Sequence, residues 1–251
     1  MQKIIIADQN ERFSMRRPSI SLIVFVLLFP LVQAYLYFML MADWQPTFQR
    51  TTYSLSKAAM LALPLFCTMK IAREPWLARP FNKRGLLEGS VFGIIAMVTI
   101  GLVYYLWFKP AGLLGQGTAP DAAITEKVTT FGMATPLRFI LLGVFVSFIH
   151  SGLEEYYWRW FAFGQLRRII PTAAAIIVAG LGFMLHHIII IGVYFGFTRP
   201  ETWFFSLAVA LGGAYWCWLY VRKDSIYAPW LSHAWIDMAI FIVGYDIVFG
   251  R

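Results

Sequence analysis

Long apolar runs separated by short polar segments dominate this chain. A helix needs about 20 apolar residues to cross the hydrocarbon core of a bilayer, and seven runs are close to that length or longer. The strict alternation of apolar and polar positions that indicates half-buried strands is absent. The pattern therefore predicts an all-α, polytopic bundle of seven to eight transmembrane helices. The predicted spans are 20–42, 52–71, 87–108, 137–158, 172–197, 204–221 and 228–249.

The basic residues of the connecting segments predict the orientation of the bundle. Lys and Arg are enriched in cytoplasmic loops, and a cytoplasmic N-terminus places 14 of the 21 basic residues inside and 7 outside. We expect an integral protein of a prokaryotic inner membrane. The basic and aromatic segment 72–86 is expected at the inner membrane surface. The longest connection, 109–136, is expected outside, as a surface loop or as a lid over a substrate entry.

The composition agrees with a membrane protein. Hydrophobic residues make up 59% of the 251 residues and charged residues 14%, against about 25% charged in soluble domains. The net charge of +8 fits contact with anionic lipid and gives no reason to expect a nucleic acid partner. Cys67 and Cys217 lie in apolar runs and indicate packing. We expect one integrated membrane domain, with N-terminal helices in 1–136 and a core in 137–251.

A compact group of ionisable residues interrupts the fourth apolar run. Glu154, Glu155 and Arg159 stand there within six positions, and charged side chains inside a membrane segment are costly and mark function by default. Residues four apart share a helix face, so Glu155 can pair with Arg159 and His150 can hydrogen-bond Glu154. Glu154 is rotated by about 100° from Glu155. It is therefore the less neutralised carboxylate and the better candidate for a general base.

Two later apolar runs each carry a pair of candidate site residues at the same four-residue spacing. Phe183 and His187 are four apart, whereas His186 is adjacent to His187 and is expected to point elsewhere. His233 and Asp237 are again four apart, so that Asp237 can bind one imidazole nitrogen and fix the tautomer. A carboxylate and an imidazole held away from bulk water can activate a water molecule for hydrolysis.

Three motifs thus follow one another on successive apolar helices. They are Glu154-Glu155-x-x-x-Arg159, Phe183-x-x-x-His187 and His233-x-x-x-Asp237. Their order and spacing resemble the signature of the CPBP family (CAAX proteases and bacteriocin-processing enzymes), which includes the Rce1-type prenyl-protein endopeptidases. The resemblance covers about residues 137–245. It implies a glutamate-dependent intramembrane endopeptidase without a covalent intermediate or a cofactor, acting on membrane-associated or lipidated proteins or peptides.

The resemblance also implies roles for the motif residues. Glu154 would activate water with the help of His187, while His233 and Asp237 would bind the developing oxyanion or support the group that does. The last position of the third motif holds Asn or Asp in the family, and an ionised Asp cannot donate a hydrogen bond. Asp237 would therefore be protonated or would orient His233. Four residues would shape the site: Glu155, Arg159, Phe183 and His150.

Three other functions are compatible with the same residues. Zinc could be held by ligands drawn from His150, Glu154, His187 and His233, although no H-E-x-x-H motif is present. A proton-coupled transporter also uses intramembrane Glu, His and Asp, but no matching halves are visible in the sequence. A non-catalytic scaffold could retain the pocket.

One feature of the predicted helices fits poorly with a shared site. With a helix that begins at residue 172, His187 lies about 22 Å along the axis, whereas Glu154 and His233 are expected near the inner surface. Either the fifth helix begins later, or it is tilted or broken, or the neighbouring helices shift in depth.

Overall fold

The protein is helical throughout the part of the chain that the computed structural model describes, which is residues 18–71, 83–115 and 117–250. No strand is present in these residues, and the predicted all-α polytopic bundle is confirmed. The helices are α1 (Ile20–Leu40), α2 (Pro46–Phe66, followed by a π-helical turn Cys67–Ile71), α3 (Leu86–Phe108), α4 (Ala119–Thr130), α5 (Pro136–Leu166), α6 (Thr172–Phe195), α7 (Pro200–Lys223) and α8 (Tyr227–Phe249).

Six of the described helices are long and apolar enough to cross a membrane. These are α1, α3, α5, α6, α7 and α8. The predicted span 52–71 falls on α2 and the turn after it, which carry Arg50 and Lys57 and are less apolar. At 1.5 Å per residue, α2 with its turn is about 39 Å long. It is therefore long enough to cross a membrane, but its sequence is not apolar enough to place it among the six candidate spans.

Helix α5, which corresponds to the predicted span 137–158, extends beyond the predicted end at residue 158. It continues to Leu166, and the added turns are almost entirely buried. The charge of Arg159 suggests a helix end in the sequence, but the residue is 1% exposed and pairs with Glu155 inside the bundle. The α-helical segment Ser151–Glu155 lies between π-helical stretches Phe145–His150 and Tyr156–Phe163, a distortion that is frequent at functional sites.

The connection between α3 and α5 contains a docked helix, α4. Its Lys127 ammonium donates a 2.8 Å hydrogen bond to the amide oxygen of Gln49 on α2 and lies over the rings of Tyr37 (5.1 Å) and Phe131 (5.0 Å). Burial lowers the pKa of the Lys127 ammonium. The expected loop 109–136 is thus partly helical and packed against α1 and α2. Of the expected interfacial segment 72–86, residues 72–82 lie outside the described residues.

Polar and apolar side chains are arranged in the bundle as a lipid environment requires. Large apolar side chains such as Ile20 (75% exposed) and Leu106 (73% exposed) point outward, while polar side chains such as those of Ser151, Glu155 and His186 are buried. Charged pairs lie at opposite ends of the bundle. Lys109 contacts Asp246 at 2.5 Å at one end, and Lys223 pairs with Glu88 at the other.

Glycines allow the central helices to approach closely, as is common between membrane helices. A Cβ atom built on Gly180 of α6 would lie 2.8 Å from the Ala210 carbonyl oxygen of α7. A Cβ atom on Gly93 of α3 would lie 2.8 Å from the Ser232 carbonyl oxygen of α8. The short distance between the helix backbones therefore depends on glycine, which has no Cβ atom, at these two positions.

We expect Gly180→Ala and Gly101→Ala to change stability in opposite directions. Gly101 of α3 has no atom within 4 Å of a built Cβ atom, so alanine there gains up to about 1 kcal/mol of helix propensity. At Gly180 the added methyl group must push α7 away, which costs about 1–3 kcal/mol. Melting temperatures of the two variants in the same detergent test this, and equal shifts would contradict the close α6–α7 packing.

Candidate active site

The carboxylate of Glu154 lies at the centre of the candidate site. Glu154 is 5% exposed and is presented by the α-helical segment of α5. Its Oε1 atom lies 3.2 Å from Nε2 of His150, one turn earlier on the same helix, and 3.8 Å from Nε2 of His186 on α6. Its Oε2 atom lies 3.9 Å from Nε2 of His233 on α8. Imidazoles from three helices therefore surround one buried carboxylate.

Both histidines of α6 face this carboxylate. The expectation that His186 points elsewhere is wrong, because its ring and that of His187 have centroids only 4.1 Å apart and both border Glu154. His187 Nδ1 lies 2.9 Å from the Phe183 carbonyl oxygen. A carbonyl only accepts, so Nδ1 carries the proton of the neutral ring. The lone pair is then on Nε2.

Phe183 links the site residues by ring contacts. Its ring centroid lies 4.6 Å from that of His187 and 6.0 Å from that of His233, and the Arg159 guanidinium carbon lies 4.7 Å from it. Phe183 is 2% exposed. The Phe183 ring therefore packs against the imidazoles of the second and third motifs and against the guanidinium of the first.

Glu155 lies behind the central carboxylate and contacts both His233 and Arg159. Its Oε1 atom accepts a 2.8 Å hydrogen bond from Nδ1 of His233 and lies 3.0 Å from a guanidinium nitrogen of Arg159. Both Glu155 and Arg159 are fully buried. A buried carboxylate needs compensating partners, and Arg159 and His233 supply them to Glu155, which in turn orients His233.

Trp216 of α7 completes the environment of Arg159 and His233. Its indole ring stacks on the His233 imidazole with centroids 4.2 Å apart and lies 4.8 Å from the Arg159 guanidinium carbon. Its Nε1 donates a 2.9 Å hydrogen bond to Ser232 Oγ. The Arg159 guanidinium thus packs against the rings of both Phe183 and Trp216, a favourable arrangement for a buried guanidinium.

Asp237 occupies a different position from the one expected. Its Oδ1 atom lies 3.6 Å from Nε2 of His233, which is too long for a hydrogen bond. Glu155, and not Asp237, therefore fixes the orientation of the His233 ring. The Asp237 carboxylate instead borders the edge of His233 that faces Glu154.

The depth difference between the motifs disappears in the structure. The fifth predicted span does begin at Thr172, but α5 continues to Leu166. Glu154 is therefore about 18 Å along the axis from the end of α5, and His187 is about 22 Å from the start of α6. The neighbouring ends of these helices are joined by residues 167–171, so the two side chains come to similar depths.

The donor atoms at the centre could also hold a metal ion. Ligand atoms of Glu154, His186 and His187 all lie within 4.8 Å of one another. Two imidazoles and a carboxylate are one of the donor sets of catalytic zinc sites. The donor types thus fit Zn²⁺, and the group includes His186 but neither His150 nor His233 of the expected ligands.

An apolar groove reaches the Glu155 side of the site between α5 and α8. Its volume is about 270 Å³. It is lined by Phe148, Ile149, Gly152, Glu155, Ile226, Tyr227 and Trp230. Trp230 is fixed across the two helices because its Nε1 donates a 2.8 Å hydrogen bond to the Phe148 carbonyl oxygen.

Sequence reasoning missed two residues near the site. Trp216 has no signal of its own, because a tryptophan in an apolar run normally indicates packing. Lys57 of α2 does have a signal, since a charged residue inside an apolar run is a default candidate for function. Its ammonium donates to the sulfur of Met60, which packs in one buried cluster with Tyr157 and Trp158 of α5.

Comparison with known proteins agrees with the three motifs. No curated protein and no solved structure matches the chain. The family model described as type II CAAX prenyl endopeptidase Rce1-like matches residues 136–239, from the start of α5 to the middle of α8. This segment carries every motif residue of the candidate site. The resemblance to the CPBP and CAAX protease family is thereby confirmed for residues 136–239, which are similar to the Rce1-like type II CAAX prenyl endopeptidases.

Proposed function

We propose that the protein is an intramembrane endopeptidase that hydrolyses a peptide bond with a water molecule activated by Glu154. The observation that carries the proposal is the buried Glu154 carboxylate with imidazoles from α5, α6 and α8 around it. A single buried carboxylate with several proton-exchanging neighbours is suited to general acid–base chemistry. No covalent intermediate is needed.

In the proposed reaction Glu154 takes a proton from water, and the resulting hydroxide attacks the carbonyl carbon of the scissile bond. The amide oxygen becomes an oxyanion. The proton then passes from Glu154 to the amide nitrogen as the carbon–nitrogen bond breaks, which leaves a carboxylic acid, an amine and the Glu154 carboxylate in its starting form. The Nε2 lone pair of His187 can accept a hydrogen bond from the water and align it, since Nδ1 is committed to the Phe183 carbonyl.

His233 is the proposed oxyanion donor. Glu155 and Trp216 fix its ring, and a preorganised donor is more effective than one that must reorient. Because Nδ1 donates to Glu155, the Nε2 atom donates only when the ring is protonated. The Nε2 atom lies 3.9 Å from Glu154 Oε2 and 3.6 Å from Asp237 Oδ1, so it faces the space beside the proposed base.

The proposed substrate is a membrane-associated protein or peptide, in the simplest case one that is prenylated at a C-terminal Cys-a-a-X sequence. The Rce1-like family is described as acting on such substrates. The apolar groove that reaches Glu155 supports this proposal, because it offers a lipid or apolar segment a surface next to the site. We further propose a prokaryotic inner membrane and a cytoplasmic N-terminus, supported by the distribution of basic residues.

A zinc-dependent reaction is the competing proposal that one observation favours. Glu154, His186 and His187 would hold the ion, which would supply Lewis-acid activation of water. In the metal-free reaction His187 aligns the water while His186 only borders the carboxylate. The two histidines are therefore expected to differ in importance.

The test uses the full chain in lipid nanodiscs with a peptide that carries S-farnesylcysteine followed by three residues. We expect mass spectrometry to detect cleavage after farnesylcysteine, with activity retained after 1,10-phenanthroline treatment and dialysis. His187→Ala is expected to lower kcat by about 10²-fold, and His186→Ala by much less. Equal losses in both variants, with stoichiometric zinc in the active protein, would support the zinc reaction instead.

A further inference from the structure

Lys57 brings a cation to the site from outside the segment that matches the family. Its Nζ atom lies 5.4 Å from the Tyr53 ring centroid and donates to the Met60 sulfur at 3.7 Å. Within the described part of the chain, no carboxylate forms a direct ion pair with it. An ammonium has three donors, and a thioether is a weak acceptor. Lys57 therefore keeps most of its capacity to bind an anion.

Lys57 lies on the part of α2 that packs against α5, the helix that carries Glu154. Helix α2 contacts α5 through a 3.1 Å hydrogen bond from the Tyr156 hydroxyl to the Leu61 carbonyl oxygen. Lys57 is about 21 Å along the axis from Ile71, and Glu154 is about 18 Å from Leu166. The ammonium and the Glu154 carboxylate are therefore at similar depths, and Met60, whose sulfur accepts from Lys57, packs in the buried cluster that contains Tyr157 and Trp158 of α5.

The site otherwise carries an excess of negative groups. Glu154, Glu155 and Asp237 lie close together, and only Arg159 and any protonated imidazole offset them. Arg159 is engaged by Glu155 and by two aromatic rings. A substrate carboxylate near Glu154 would therefore be repelled unless a second cation bound it, and Lys57 is the cation that is placed to do so.

We propose that Lys57 binds the C-terminal carboxylate of the peptide substrate and so positions the scissile bond near its end. This inference rests on the proposed endopeptidase function. A glutamate or aspartate side chain of the substrate presents the same chemistry, and the experiment separates the two sources. A charge-assisted hydrogen bond of this kind contributes about 10- to 100-fold in affinity.

The experiment compares three farnesylated peptides in nanodiscs. One ends in a free carboxylate, one in an amide, and one in an amide preceded by glutamate. For the unaltered protein we expect KM for the amide to exceed KM for the acid by 10-fold or more, with similar kcat. In Lys57→Met this ratio is expected to fall to about 1, Lys57→Arg should restore part of it, and Lys83→Met, an exposed lysine of the same type, should retain it.

Each outcome decides between specific alternatives. Equal KM values for acid and amide in the unaltered protein would overturn the inference while leaving the endopeptidase function intact. A glutamate-containing amide that binds as well as the acid would show that Lys57 recognises any nearby carboxylate. A Lys57→Met variant with lower kcat on all three peptides and an unchanged ratio would show instead that Lys57 acts on Glu154. Absence of cleavage, and of binding by Glu154→Gln, for every peptide would refute both proposals for this substrate class.

Discussion

Glu154→Gln is expected to lower the rate of peptide cleavage by about 10³-fold, the middle of the range for loss of a general acid–base group. Glutamine has the shape of glutamate and can still contact His150 and His186, so the bundle should remain folded. It cannot take a proton from water. The measurement is the initial cleavage rate of the farnesylated peptide in nanodiscs, followed by mass spectrometry, together with the melting temperature.

Glu126→Gln provides the matched control for this prediction. Glu126 lies on α4 and is exposed to solvent, so the same chemical change there should leave both rate and melting temperature unaltered. If Glu154→Gln cleaves the peptide at the rate of the unaltered protein, Glu154 is not the base. If it loses activity only because the melting temperature falls, the role of Glu154 is structural.

Arg159→Leu is expected to reduce the free energy of unfolding by about 3–5 kcal/mol, the cost of leaving one partner of a buried ion pair uncompensated. The change removes the guanidinium that packs against Phe183 and Trp216 and leaves the Glu155 carboxylate buried without it. Activity should fall as well, because Glu155 orients His233. Unfolding in mixed detergent micelles, followed by circular dichroism, measures the first effect.

The chain offers an ion pair of the same length for comparison. Arg199 and Glu201 are also 3.0 Å apart, but the Arg199 side chain is 58% exposed. Exposed pairs contribute about 0–1 kcal/mol, so Arg199→Leu should have little effect. The double variant Arg159→Leu with Glu155→Gln should recover part of the stability lost by Arg159→Leu alone, because no uncompensated buried carboxylate remains. Equal effects of the two Arg→Leu changes would show that Arg159 is not effectively buried.

The motif spacing predicts two of the contacts within one helix correctly, fails for His233 and Asp237, and predicts contacts between helices poorly. The pairs His150–Glu154 and Glu155–Arg159 are both present at the predicted four-residue spacing. The spacing wrongly predicts that His186 points away from the site, because the divergence of about 100° between adjacent residues applies only around their own helix axis. A neighbouring helix can pass close enough for both rings to border one carboxylate, and sequence does not give the position of that helix.

The sequence by itself determined that this protein is an all-α membrane bundle and that its ionisable groups stand in three motifs. Both follow from local rules, namely the length of apolar helix that crosses a bilayer and the cost of burying charge. The tertiary structure alone decided which groups meet. In the structure, α5 extends past Arg159 and so brings Glu154 to the depth of His187, Glu155 orients His233, and Lys57 lies on α2 where it packs against α5. These outcomes depend on how far apart helix axes lie and how their ends are offset, which side-chain packing between distant segments sets.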